Sequence, residues 1–339
     1  MLPCFRNVFI LVRAFKHLRF RVIMNWVNLY SGYLLNRLGI NCNHHTKPFF
    51  IAVEPSNFCN LKCPECPVGN GASASYKTKM TMNIDLFTQL IDELKSSLFH
   101  VIFYFQGEPM IHNQLCDMVS YAHRAGIFTS TSTNAQFIDS ELARLIVQSG
   151  LDKLIVSVDG ATQEVYEQYR VGGNLELTLD ALKHIQHWKR ELHSKTPFLE
   201  IQFIVFKNNE HQIDEMKALA KSMKVDSFRL KTAQLYNFEN GHDLITSINK
   251  YARYKLQTDG KVVIKSKLKN RCWRMWSGSV VTAKGDVLPC CFDKFEQHSY
   301  GNLNQQSFLV TWQNAKSSNF RQQIHMDRKQ FEMCRNCTE

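Results

Sequence analysis

Between residues 48 and 234, short β-branched or aromatic runs alternate regularly with stretches of helical periodicity, and this alternation restricts the fold more than any other feature of the 339-residue chain. The strand-like runs lie at 49–53, 101–105, 128–132, 154–158, 200–206 and 227–230, with helix-like stretches at 84–96, 114–125, 140–148, 175–192 and 213–223. Six such units in one run require right-handed crossovers and a parallel sheet, either open or curled into a barrel. The class is therefore α/β. In such sheets function gathers at the carboxyl ends of the strands. A hydrophobic share of 44% suffices for a sizeable core, and 15 Gly with 8 Pro leave little room for long linkers.

The cysteines fall where that rule looks for function. Cys59, Cys63 and Cys66 follow the first strand as C-x3-C-x2-C. Three thiolates on one short loop can hold three corners of an iron–sulfur cubane and leave the fourth iron open to a small chelating molecule. Zinc fits less well, because a structural zinc takes four ligands, His44 and His45 precede the loop, and the next thiol is Cys116. A second group comprises Cys272, Cys290 and the pair Cys334 and Cys337, with Cys291 able to stand in for Cys290. Four cysteines ending in C-x2-C suit either a fully ligated 4Fe–4S cluster or a structural zinc. Cys4, Cys42 and Cys116 read as ordinary thiols. Thiol clusters of this kind belong to a reducing compartment, and the first 40 residues carry no small-residue cleavage site, so a cytoplasmic enzyme is expected.

The cysteine loop and the motifs after the next three strands resemble the radical S-adenosylmethionine (SAM) superfamily over about residues 49–234. The motifs are QGEP at 106–109, STNA at 132–135, and SVDG at 157–160 with Tyr169-Arg170 downstream. Taken singly, each has a plain structural reading as a surface charge, a strand-end hydroxyl or a turn glycine. Together they lie on one rim of consecutive strands. The resemblance implies a partial (β/α)6 TIM-like barrel and a 4Fe–4S cluster on Cys59, Cys63 and Cys66. It also implies SAM contacts from Gly107, Glu108, Ser157 and Arg170, with Asn134 a further candidate. The tail resembles a shortened SPASM/twitch extension, a small α+β cluster-binding unit. By that likeness Cys272, Cys290, Cys334 and Cys337 hold one auxiliary 4Fe–4S cluster. The layout expected is a basic arm at 1–47, the barrel at 48–240 and the auxiliary unit at 241–339.

The activity implied is reductive cleavage of SAM to a 5'-deoxyadenosyl radical that abstracts hydrogen from substrate. The electron would come from a reductant such as flavodoxin or ferredoxin, and the auxiliary cluster would accept one from the substrate radical. The net charge of +11 suits an anionic partner. Between residues 247 and 276 nine basic residues, Lys250 to Arg274, accompany the single acid Asp259. They form either a solvated face or an anionic-substrate entrance. Oxidation of an anionic or carbohydrate-like substrate is the first reading. A peptide maturase and a non-catalytic cluster or zinc module are the others, and nucleic acid is not expected without an aromatic RNP motif.

No Asp or Glu precedes Glu54, so the N-terminal arm is purely basic. Val8, Leu11, Phe15, Leu18 and Val22 recur at intervals of 3 and 4, which predicts one amphipathic helix with Arg6, Arg13, His17 and Arg21 turned away. Two uses are equally open: packing on the barrel, or peripheral contact with an anionic membrane anchored by Trp26, Tyr30 and Tyr33. The charge-free stretch that follows is too short to span a bilayer.

Overall fold

The computed structural model describes residues 8–40, 46–72 and 76–338; Cys4, Arg6, Cys42, His44 and His45 lie outside them. Two helices, Val8–Phe15 (α1) and Phe20–Arg37 (α2), precede six strands: Phe50–Val53 (β1), His100–Ile102 (β2), Phe128–Thr133 (β3), Lys153–Ser157 (β4), Phe198–Val205 (β5) and Ser227–Thr232 (β6). Between consecutive strands run Ile84–Leu94 (α3), Leu115–Arg124 (α4), Ser140–Gln148 (α5), the pair Gln163–Tyr169 (α6) and Leu175–Glu191 (α7), and Ile213–Ser222 (α8). The helix starts are written in the sequence. Asn83, Asp139, Thr162 and Asn174 each accept a backbone N–H of the first turn with their side chains. Residues of β1, β2 and β4 are buried at every position, as parallel strands covered on both faces must be.

All six strands pair in parallel in chain order, and the sheet stays open between β1 and β6. This is a partial TIM-like barrel. The remaining segment adds a small hairpin, Tyr254–Leu256 (β7) with Val262–Ile264 (β8), then Trp273–Ser277 (α9), Gly278–Val281 (β9), Asp286–Leu288 (β10), Gly301–Asn302 (β11), Phe308–Gln313 (α10), Ala315–Met326 (α11) and Glu332–Arg335 (α12). Strand β9 pairs in parallel with the free edge of β1, so one nine-stranded sheet, β11-β10-β9-β1-β2-β3-β4-β5-β6, runs through barrel and tail. The turn expected at Lys284-Gly285-Asp286 joins β9 to β10, with Gly285 at φ +90°. The basic run is mostly a solvated face, since Lys250, Lys255, Lys261, Lys267 and Lys269 are exposed on and around the β7–β8 hairpin.

The predicted single N-terminal helix is interrupted at Lys16–Arg19, and the reason is polar. His17 reaches Asp152 (3.4 Å) and the Gly126 carbonyl (3.2 Å). Arg19 donates to the carbonyls of Ala125 (3.0 Å) and Lys95 (2.5 Å), at the C-terminal ends of α4 and α3 where a cation is favoured. Of the expected stripe Val22 is buried, Leu18 half-buried and Phe15 exposed. The arm packs beneath the barrel. Ile10, Ala14, Val22, Leu29 and Tyr33 join Phe49, Phe99, Phe128 and Phe198, aromatic residues at the starts of β1, β2, β3 and β5. Trp276 donates its indole N–H to the Leu29 carbonyl (3.1 Å) and ties α2 to the tail. Tyr33, read as an interfacial anchor, is instead a buried part of this floor.

Candidate functional site

The chain leaves β1 at Val53 and enters the loop carrying Cys59, Cys63 and Cys66. Asn57 pins its start, accepting from the Met80 amide (2.8 Å) and donating to the Thr78 carbonyl (3.0 Å). Cys63 is buried, and Cys59 and Cys66 are half-buried. The Leu61 amide points at the Cys59 sulfur (3.4 Å). Gly69 closes the loop where a Cβ would lie 2.7 Å from the Cys63 amide nitrogen, so any larger residue would displace the cysteine backbone. Burial raises the Cys59 thiol to about 12 and pushes Cys63 up as well. Thiols so placed become thiolates only beside strong positive charge, and a sulfur-only donor set of three fits an iron–sulfur cluster.

Each of the next two rim motifs grips this loop. Gly107 sits at φ +65°, and a Cβ there would lie 2.1 Å from the Ser56 carbonyl oxygen. The Glu108 amide donates to the Phe58 carbonyl (2.9 Å). The buried Glu108 carboxylate accepts from Thr133 Oγ1 (2.6 Å), the Asn134 amide (2.8 Å) and the Met110 amide (3.0 Å), which joins the loop after β2 to the end of β3. Burial raises its pKa against the pull of these donors. Asn134 in turn donates to Asn60 Oδ1 (2.9 Å) and reaches the Cys59 sulfur (3.5 Å).

Arg170 caps the C-terminal end of α6. Its Nε and Nη2 donate to Asp159 Oδ2 (2.7 and 2.6 Å), and its Nη1 faces the Cys63 sulfur (3.9 Å). Burial disfavours its charge, yet Asp159 and Cys63 outweigh that and hold it firmly protonated. Ser157 is buried at the end of β4 on the same rim. The structure thus links Cys59, Cys63, Gly107, Glu108, Asn134 and Arg170 through direct contacts.

Sequence reasoning gave no role to three residues that build the site. Asp159 orients Arg170 and also accepts from the Ile204 amide of β5 (2.7 Å); it stands at the end of β4 beside Ser157, where the strand-end rule points. Asn60 bridges the cysteine loop to Asn134. Glu65 accepts from the Tyr236 amide (2.7 Å) and pairs with His242 (3.2 Å), tying the loop to the segment after β6. Neither Asn60 nor Glu65 carries a signal without the long-range contact.

In the tail, Cys272, Cys290, Cys334 and Cys337 line one pocket with Arg274, Met275, Phe292, Ile324, Arg328 and Met333. Cys291 is absent from that lining and packs against the cluster of Phe50, Ala52 and Phe105 instead. Cys272 caps α9, its sulfur accepting from the Met275 amide (3.4 Å). Buried Arg328 donates to the Cys337 sulfur (3.2 Å) and to the Arg271 carbonyl (2.9 Å), a cation built into the thiol pocket. Four sulfurs and a guanidinium fit a fully ligated iron–sulfur cluster of negative charge.

The chain matches the family model of the radical SAM superfamily over residues 53–196 and that of the SPASM iron-sulfur cluster-binding domain over residues 272–338. Among characterised proteins it is 24% identical over 304 residues to AdoMet-dependent heme synthase of Methanosarcina barkeri, covering 79% of this chain and 83% of the relative. It is 26% identical over 175 residues to the mycofactocin maturase MftC of Mycolicibacterium smegmatis, covering 51% of this chain and 42% of that one. Streptococcus suis SuiB bound to S-adenosylmethionine superposes with a TM-score of 0.61 at 16% identity, over 81% of this chain and 68% of that one. BtrN in complex with AdoMet and 2-DOIA gives 0.53 at 19% identity, over 87% and 94%. These two likenesses are of fold.

Proposed function

Since the chain belongs to the radical SAM superfamily and ends in a SPASM iron–sulfur domain, we propose that it oxidises an anionic or carbohydrate-like substrate by hydrogen abstraction, the tail cluster taking up the electron of the substrate radical. The observation that carries this reading is the tail pocket. Its four thiols would suffice for all four corners of one cluster, which would leave no open iron for substrate and suit such a cluster to an electron relay.

Cys59, Cys63 and Cys66 would hold the SAM-binding cluster, and Cys272, Cys290, Cys334 and Cys337 the auxiliary one. When bound, the first cluster supplies the electron that splits SAM into methionine and a 5'-deoxyadenosyl radical. The chain's own residues bind and orient. Gly107 keeps side-chain bulk away from the loop, so that backbone groups can approach the methionine ammonium. Glu108 already accepts three hydrogen bonds of roughly four that a carboxylate can take, so it mainly fixes the rim and has one position left for that ammonium. Arg170, oriented by Asp159, presents positive charge toward the methionine carboxylate. Asn134 holds the Cys59 loop in register, and Ser157 would meet the ribose. A flavodoxin or ferredoxin class donor would reduce the enzyme. Support for an anionic substrate comes from the net charge of +11. Peptide modification is the second reading, favoured by the match to the mycofactocin maturase.

Anaerobically reconstituted protein, reduced with dithionite, should form 5'-deoxyadenosine from SAM. Deuterium transfer into that product, from labelled phosphosugars against labelled peptides, decides between the readings. No 5'-deoxyadenosine from reduced, cluster-loaded protein would overturn the assignment.

A further inference from the structure

The outer face of α2 has no place in that chemistry. This helix is apolar on two opposite sides. Inward, Val22, Leu29 and Tyr33 enter the aromatic floor, and Asn25 exchanges hydrogen bonds with the Lys47 amide (3.1 Å) and carbonyl (2.9 Å). Outward, Phe20, Ile23, Val27, Tyr30 and Leu34 follow at intervals of 3 and 4, with Leu38 continuing the line just past the helix end. That spacing makes one stripe. Their exposures run from 39% at Leu34 to 77% at Phe20. A contiguous apolar stripe of this length on a surface helix marks a contact with something apolar.

Charge identifies the contact. Lys16, Arg21 and Arg37 stand exposed around the stripe, and no carboxylate occurs in the sequence before Glu54. Trp26 and Tyr30 stack at its edge (5.4 Å between centroids), half-exposed rings of the kind that settle at a lipid–water boundary. No helix among the described residues is long and apolar enough to cross a membrane. We propose that α2 seats the protein on an anionic bilayer, with its stripe in the headgroup–acyl boundary and Lys16, Arg21 and Arg37 among the lipid phosphates. A second copy of the chain is the weaker occupant: two such faces together would crowd Arg21 and Arg37 of both copies with no carboxylate in the segment to pair them.

This docking has a fixed orientation. α2 covers the residues that begin the barrel strands, whereas Cys59, Gly107, Asn134 and Arg170 follow the strand ends. The catalytic rim therefore faces away from the bilayer. The surface localises the enzyme, and its substrate arrives from the aqueous side rather than up through the arm.

Cosedimentation of the full chain with phosphatidylcholine vesicles, alone or mixed with phosphatidylglycerol, tests the proposal. The protein should pellet with the anionic vesicles and bind the neutral ones at least about tenfold more weakly. Val27→Gln with Leu34→Gln should abolish pelleting at an unchanged melting temperature, because both side chains face solvent. Arg21→Gln with Arg37→Gln should weaken binding about tenfold or more. Three results would overturn it: wild-type protein that ignores anionic vesicles at low salt, a Val27→Gln/Leu34→Gln variant that still pellets, or a wild-type dimer in sedimentation velocity that this variant turns into monomers.

Discussion

A methyl group at Gly107 would press on the Ser56 carbonyl oxygen from 2.1 Å, on a backbone already at φ +65°. Both the positive φ and the close approach forbid a side chain, so relief must come from the cysteine loop that Ser56 leads into. Gly107→Ala should lower iron retention and cut 5'-deoxyadenosine formation by at least about tenfold, read by iron analysis and product chromatography on the same sample. Asp159 offers a second test. Asp159→Asn keeps the shape but removes the charge that orients Arg170, and hydrogen bonds to charged groups contribute roughly 1.5–3 kcal/mol. The Kd for SAM, measured by titration of cluster-loaded protein, should rise about tenfold or more, and Arg170→Lys should not substitute for wild type because an ammonium lacks the planar fork. At this scale the sequence was legible wherever a residue type was itself unusual. Three cysteines on one loop stand out by their spacing, and the glycine–glutamate pair after β2 by its resemblance to a family motif. Asp159 did not stand out, because its meaning depends on Arg170, eleven positions on and across the short helix α6.

The strands and long helices of the barrel lie within a few residues of where periodicity puts them, because each buries one continuous apolar face. The arm departed from its pattern. Its apolar period runs unbroken through residues 8–22, yet the chain turns at Lys16–Arg19, since two polar side chains find partners on the barrel floor that no local pattern could reveal. That turn should respond to pH. His17 is half-buried, which lowers its affinity for a proton, but the hydrogen bond and charge of Asp152 and the Gly126 carbonyl outweigh this and raise its pKa above 6.5. A raised folded-state pKa gives stability that is fully present below about pH 6.5 and lost as pH rises through the folded value. His100, deep in the barrel, acts in the opposite sense. Burial, with Lys153 nearby, lowers it to about 3, so its contribution declines as pH falls below about 6.5. Comparison with His17→Gln removes that background: wild type should lose more melting temperature than the variant between about pH 6 and about pH 8. Equal losses would mean that the His17–Asp152 contact does not titrate.

Across the whole molecule the two thiol sites sit in one continuous framework. The hairpin turn in the tail was readable from Lys284-Gly285-Asp286, but its partner strand β1 lies more than 200 positions away in sequence, and parallel pairing over that distance leaves no local mark. Besides the sheet, Glu54 accepts from the Ala283 amide (3.0 Å), Glu93 accepts from the amides of Phe308 and Leu309 (3.0 and 2.9 Å) at the start of α10, and Trp312 donates to the Thr46 carbonyl (3.0 Å). None of these contacts passes through the four-thiol pocket. Losing its cluster should therefore leave the barrel folded and the Cys59 loop intact. Wild-type protein, reconstituted without oxygen, should carry about eight irons per chain from two cubanes, and Cys334→Ala with Cys337→Ala should carry about four. The variant should still cleave SAM to 5'-deoxyadenosine, because Gly107, Glu108, Asn134 and Arg170, the residues proposed to hold SAM, belong to the barrel, whereas Cys59→Ala, Cys63→Ala and Cys66→Ala together should abolish cleavage and retain the other four irons. If the tail variant lost cleavage as well while its melting temperature held, the auxiliary site would be supplying electrons to the first rather than taking them from the substrate, and the direction of the relay would have to be reversed.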